Sequence, residues 1–145
     1  MLQNFKALSL SYKKAPLEIR ELIALDENAC KQFLDMQKSF LQATDLLVLS
    51  TCNRTEIYYA ADKDYSAEIV KLLGLTKGIE NITQYLDYFT NITEHQAAVQ
   101  HLFYVAMGLE AQVIGDMQIS NQVKNAYQWS ADSDTAGPFL HRLMH

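Results

Sequence analysis

Between Phe5 and Tyr12 the apolar side chains of Leu8, Leu10 and Tyr12 fall on every second position, the period of a strand with one buried face. Ala15-Pro16 then opens a helix, since proline's fixed φ suits a first helical turn and its missing N–H costs nothing there. From Leu17 to Leu25 the apolar period is helical. Asp26 is placed to cap a second helix, with Glu27 favourable in its first turn and Cys30, Phe33, Leu34 and Phe40 on one face up to an end near Phe40. Leu46-Leu47-Val48-Leu49, the polar tetrapeptide Thr51 to Arg54, and Glu56-Ile57-Tyr58-Tyr59-Ala60 read as two strands joined by a short turn. Tyr65 to Leu73 is helical and closed by Gly74, Gly78 to Thr83 is loop, and aromatic-rich Tyr85 to Phe89 suits a further strand.

Strand, helices, strand, strand, helix, strand is the order of a split βαβ unit. The expected fold class is α+β, a ferredoxin-like sandwich with an antiparallel sheet followed by C-terminal helices, and the Thr51–Arg54 turn falls at one end of the sheet. Thr93 and Gln96 form a capping box for a long helix reaching about Leu109, with Ala98, Leu102, Val105 and Leu109 on its apolar face. Gly108 and Gly115 interrupt the next segment, and Gln118 to Trp129 is again helical. Ser130 to Gly137 has the composition of a connection, and Pro138 starts another helix. This divides the chain into one domain over residues 1–130 and, over 131–145, a linker and the start of a further domain.

At 145 residues the chain suits one domain that buries roughly two thirds of its unfolded surface. Hydrophobic residues make up 49% and charged residues 20%, the balance of an ordinary globular domain. No stretch approaches the roughly 18 uninterrupted apolar residues of a membrane span, and the first residues are not a secretory signal, so a cytoplasmic location without membrane contact is the default. The net charge of −5 argues against a general nucleic-acid binder. One shape-specific RNA remains open, through local cations such as Lys13, Lys14, Arg20, Arg54 and Lys124. Two cysteines, Cys30 and Cys52, are too few for a disulfide framework and are expected as reduced thiols.

Cys52, at the tip of two strands beside Thr51, Asn53 and Arg54, has the surroundings of a reactive thiol, because exposure and a guanidinium favour the thiolate. The plainer alternative is a turn in which Asn53 stabilises the bend and Arg54 solvates it. Cys30, in register with Phe33 and Leu34, reads as a small buried hydrophobe. His101 lies between Ala98 and Val105 on the apolar side of its helix. It is either a buried, hydrogen-bonded imidazole or one that orients or deprotonates a thiol. Asp116, Gln118, Gln122, Lys124 and Tyr127 crowd one short stretch, as a solvated helix face or as a recognition surface. The His and Cys spacings match no zinc pattern, so no metal is expected. The five glycines form neither a G-x-G-x-x-G nor a P-loop, so the chain alone is expected to hold no dinucleotide.

Three blocks, in order, resemble the N-terminal catalytic domain of the glutamyl-tRNA reductase family: Ser11-Tyr12-Lys13-Lys14-Ala15-Pro16 with the helix start behind it, Leu49-Ser50-Thr51-Cys52-Asn53-Arg54-Thr55-Glu56-Ile57-Tyr58, and Gly108 through Tyr127. The resemblance implies that Cys52 attacks the ester joining glutamate to the tRNA 3′ end and leaves a thioester, which hydride from NADPH reduces to glutamate-1-semialdehyde, a tetrapyrrole precursor. It implies a catalytic role for His101 and substrate contacts from Thr51, Asn53, Arg54, Ala111, Asp116, Met117, Gln118 and Gln122. Arg54 would pair with the glutamyl side-chain carboxylate and so reject glutamine. NADPH is implied as bound by a domain absent from this chain. The implied partners are glutamyl-tRNA(Glu), the downstream aminomutase, and a second subunit through a C-terminal dimerisation domain. This chain departs from the family at Tyr12 for histidine, Ala111 for serine, Asp116 for glutamate and Ser120 for glycine. The alternatives are a non-catalytic module binding tRNA or protein, and a free-standing thiol hydrolase acting on glutamyl esters.

Overall fold

A computed structural model describes residues 4–108 and 117–144, with the backbone alone for 117–120. The elements are β1 (Phe5–Ser11), α1 (Leu17–Ile23), α2 (Glu27–Phe40), β2 (Thr44–Ser50), β3 (Arg54–Ala60), α3 (Ser66–Lys77), a 3₁₀ segment (Ile82–Tyr88), β4 (Phe89–Ile92), α4 (His95–Ala106), α5 (Met117–Asp132) and α6 (Pro138–Leu143). The strands form one sheet in the order β2-β3-β1-β4, antiparallel at every junction. This is the split βαβ arrangement: β3 lies between β1 and β2, so the helical crossover from β1 to β2 spans it.

β1 differs from the expected half-buried strand, since both of its faces are covered. Leu8 and Leu10 join Val48, Ile57 and Tyr59 in a core closed by α2 and α3. Phe5 and Ala7 join Leu47, Leu49 and Tyr58 in a second core closed by α4, α5 and α6. The C-terminal helices are therefore the third layer of one structure. Among the described residues no helix is long and apolar enough to cross a membrane.

Asp26 caps α2 as expected, its Oδ1 accepting from Ala29 N at 2.8 Å. Four local expectations need correction. α3 does not end at Gly74 but at Lys77, followed by Gly78 in the left-handed conformation at φ 67°. Gly74 is needed inside the helix for a different reason: a Cβ there would meet Ile82 Cγ2 at 2.7 Å. The aromatic run Tyr85 to Tyr88 is 3₁₀, entered through left-handed Asn81, and only Phe89 begins a strand. The cap of α4 is Glu94 rather than Thr93; its carboxylate accepts from Gln96 N at 3.2 Å and Ala97 N at 2.6 Å. α4 stops at Ala106, and Leu109 lies outside the described residues.

The outer edge of β2 is closed by the chain that leaves α5. Leu46 N donates to Thr135 O at 2.9 Å, and Ser130 Oγ donates to Leu46 O. Asp45, left-handed at φ 55° inside an irregularity of the β2–β3 register, accepts from Leu140 N at 2.9 Å and so caps α6.

Candidate active site

The turn between β2 and β3 is held from three sides. Thr51 N donates to Arg54 O at 2.8 Å, and Asn53 N donates to Thr51 Oγ1 at 3.1 Å. Tyr12 N donates to Asn53 O at 2.9 Å, tying the turn to the end of β1. From α1, Arg20 Nη1 donates to the Cys52 carbonyl at 3.4 Å and to Asn53 Oδ1 at 3.3 Å. The thiol of Cys52 is thus exposed on a braced turn, with a guanidinium beside its backbone, whereas Cys30 is buried.

Arg54 is not the solvating turn residue of the plainer reading. It starts β3 and is only 3% exposed, its Nη1 lying 3.5 Å from Glu56 Oε2 and its guanidinium carbon 5.9 Å from the centroid of the Tyr12 ring. Strand alternation places Arg54, Glu56 and Tyr58 on one face, and the register sets Arg54 opposite Ser11 and Glu56 opposite Ser9. Glu56 is fully buried. Its Oε1 accepts from Tyr58 Oη at 2.7 Å and lies 2.7 Å from His101 Nε2, while Oε2 accepts from Ser9 Oγ. A buried carboxylate is tolerated only when donors surround it, and this one has hydroxyls, an imidazole and a guanidinium.

His101 is therefore hydrogen-bonded, as the plainer reading has it, but its partner is the carboxylate that also pairs with Arg54. A carboxylate only accepts, so Nε2 is the donor and, in the neutral ring, Nδ1 is the acceptor. No hydrogen bond joins His101 to Cys52 among the described residues. Gln122 is half-buried on α5. Met117 and Gln118 lie in the first turn of that helix, whereas Ala111 and Asp116 lie outside the described residues. Sequence reasoning passed over Glu56 and Ser9, and named Arg20 only as a cation for RNA, not as a brace of the turn. The available signal was Glu56 itself, a charge two residues from Arg54 in an otherwise apolar strand, where alternation puts both on one face.

Among the described residues no group of three His, Cys, Asp or Glu side chains can hold a metal ion. Gly137 sits at the start of α6, but the space where its Cβ would stand is bordered by both Asp45 carboxylate oxygens at 2.7 and 2.8 Å, which would repel a phosphate.

Fold and site together define a ferredoxin-like α+β domain that presents a thiol at one end of its sheet beside a buried Arg–Glu pair joined to a half-buried histidine. The sequence model described as "Glutamyl-tRNAGlu reductase, N-terminal domain" matches residues 8–145. The glutamyl-tRNA reductase of Cytophaga hutchinsonii is 59% identical over the whole chain, which covers 34% of that protein, and that of Shouchella clausii is 36% identical over 94% of the chain and 30% of the protein. The solved glutamyl-tRNA reductase from Methanopyrus kandleri superposes with a TM-score of 0.75 at 26% identity, covering 98% of this chain and 32% of that one. The chain belongs to the family of glutamyl-tRNA reductase N-terminal domains, and it spans about a third of the length of these relatives.

Proposed function

We propose that this chain captures the glutamyl group of glutamyl-tRNA(Glu) as a thioester on Cys52, as part of an NADPH-dependent glutamyl-tRNA reductase that forms glutamate-1-semialdehyde. The observation that carries the reading is the exposed Cys52 thiol on a braced turn, two residues from a buried guanidinium held by Glu56. Sγ forms a bond to the ester carbonyl carbon as the bond from that carbon to the ribose oxygen breaks. The thiol gives up its proton in the attack and the leaving oxygen takes one in its place, so the tRNA departs with a free hydroxyl. Arg54 takes the glutamyl side-chain carboxylate, and its fixed position gives the bidentate geometry that rejects glutamine. Asn53 has its Oδ1 engaged by Arg20, which leaves Nδ2 as the donor toward the glutamyl group. Thr51 shapes the turn with its hydroxyl oxygen and keeps its proton for the substrate. His101 offers Nδ1 as the proton acceptor. By the family resemblance, Ala111, Asp116, Met117, Gln118 and Gln122 are further substrate contacts. NADPH and its hydride belong to the whole protein, as do the homodimer and the handover to an aminomutase that we propose for it.

Incubation with glutamyl-tRNA is expected to add the mass of one glutamyl group to Cys52, with no adduct in Cys52→Ser. Binding of charged tRNA without any adduct, at pH values where the thiol ionises, would instead establish a non-catalytic binding module.

A further inference from the structure

Cys52 stands where the two faces of the sheet meet. Arg54 and Glu56 project onto the face covered by α4. On the other side of the same turn a cleft of about 490 Å³ opens between α1, the start of α2 and the end of α3, with Cys52 in its wall and Arg20, Glu21, Ala24, Leu25 and Lys77 around it. We propose that this cleft receives the 3′-terminal nucleoside of the charged tRNA while Cys52 is acylated, a proposal that rests on the thioester reading of the site.

An ester carbonyl carbon under attack carries the acyl chain on one side and the alkoxy oxygen on the other. With the glutamyl chain drawn to Arg54 on one face, the ribose is directed across the turn to the opposite face, into the cleft. The volume lies within the roughly 300–1,000 Å³ of small-molecule pockets. Its chemistry suits a nucleoside better than a run of phosphates, because the formal charges of Arg20 and Lys77 are balanced by Glu21 and Asp26. The Asp26 carboxylate is already engaged by the start of α2, which leaves the exposed Glu21 carboxylate as acceptor for a ribose hydroxyl. Ala24 and Leu25 supply an apolar wall for a base, and the planar guanidinium of Arg20 is a stacking surface beside Cys52.

The test compares two esters on the full chain: 3′-O-glutamyl-adenosine and glutamate α-methyl ester, each rate normalised to the reactivity of that ester with free cysteine. The adenosine ester is expected to acylate Cys52 at least about tenfold faster. Lys77→Ala and Glu21→Ala should lose most of that advantage while the methyl-ester rate stays unchanged. Lys77 Nζ also donates to Ala24 O at 2.6 Å, so Glu21→Ala, a surface change, guards against a local folding effect. An advantage retained in both variants, or equal acylation by the two esters in the unaltered chain, overturns the proposal. A second arm uses the non-cleavable 3′-(glutamylamino)-3′-deoxyadenosine on the Cys52→Ser chain, read by NMR at the backbone amides of Ala24 and Lys77. Shifts there without acylation by either ester uphold the cleft and remove the capture reading. Acylation by both esters alike with those amides unmoved does the reverse.

Discussion

Burial pushes the Cys30 thiol up from its ordinary 9.0 to about 12, and the carboxylates of Asp26 and Glu27 add to the shift. The folded-state value lies above the unfolded one, so the stability this thiol contributes is complete below pH 9.0 and declines as pH rises toward about 12. Urea titrations between pH 8 and 11 are expected to show an alkaline loss of stability that is smaller in Cys30→Ala. Iodoacetamide should label Cys52 alone in the native chain and Cys30 only after unfolding; equal labelling of both would contradict the burial. Glu56 answers to a different balance. Glu56→Ala leaves the 3%-exposed Arg54 without its carboxylate, and breaking such a buried pair costs roughly 3–5 kcal/mol. Glu56→Gln keeps the shape, so it should fold with a smaller loss yet acylate Cys52 more slowly, because Arg54 and His101 lose the group that positions both. Unchanged urea stability in Glu56→Ala would show that the cluster does not hold α4 to the sheet.

At the scale of elements, the strands and most helices follow from period and caps alone: β1, α2, β2 and β3 fall where the alternation and Asp26 put them. What escaped was decided by distant contacts. Gly74 and Gly78 are the same letter four residues apart, one fitting under Ile82 and the other adopting φ 67°. Only the packing distinguishes them. Gly74→Ala is expected to cost about 1–3 kcal/mol by overpacking against Ile82 Cγ2. Adding Ile82→Ala should recover part of that loss, so a double-mutant cycle that comes out additive would rule the contact out. The site was legible to the same degree. Thr51 to Arg54 declares itself as a polar turn around a thiol, whereas the role of Glu56 depends on Ser9 and His101, 47 and 45 residues away, and no local pattern carries that.

The whole molecule is three layers, and the C-terminal helices do two things in it: they cover the second face of the sheet and they seal the edge of β2. An unpaired strand edge is a template for another chain. A chain ending at Asp132 would lose the Thr135 acceptor and the α6 that Asp45 caps, and light scattering should show it self-associating at concentrations where the full chain does not. The seal also sets an order of events during synthesis. Leu46 emerges 84 residues before Ser130, roughly 4–17 s earlier at about 5–20 residues per second, so the nascent strand has its outer edge bare for that interval. The left-handed Asp45 and the irregular register beside it break the straight run of that edge before any helix arrives to cover it.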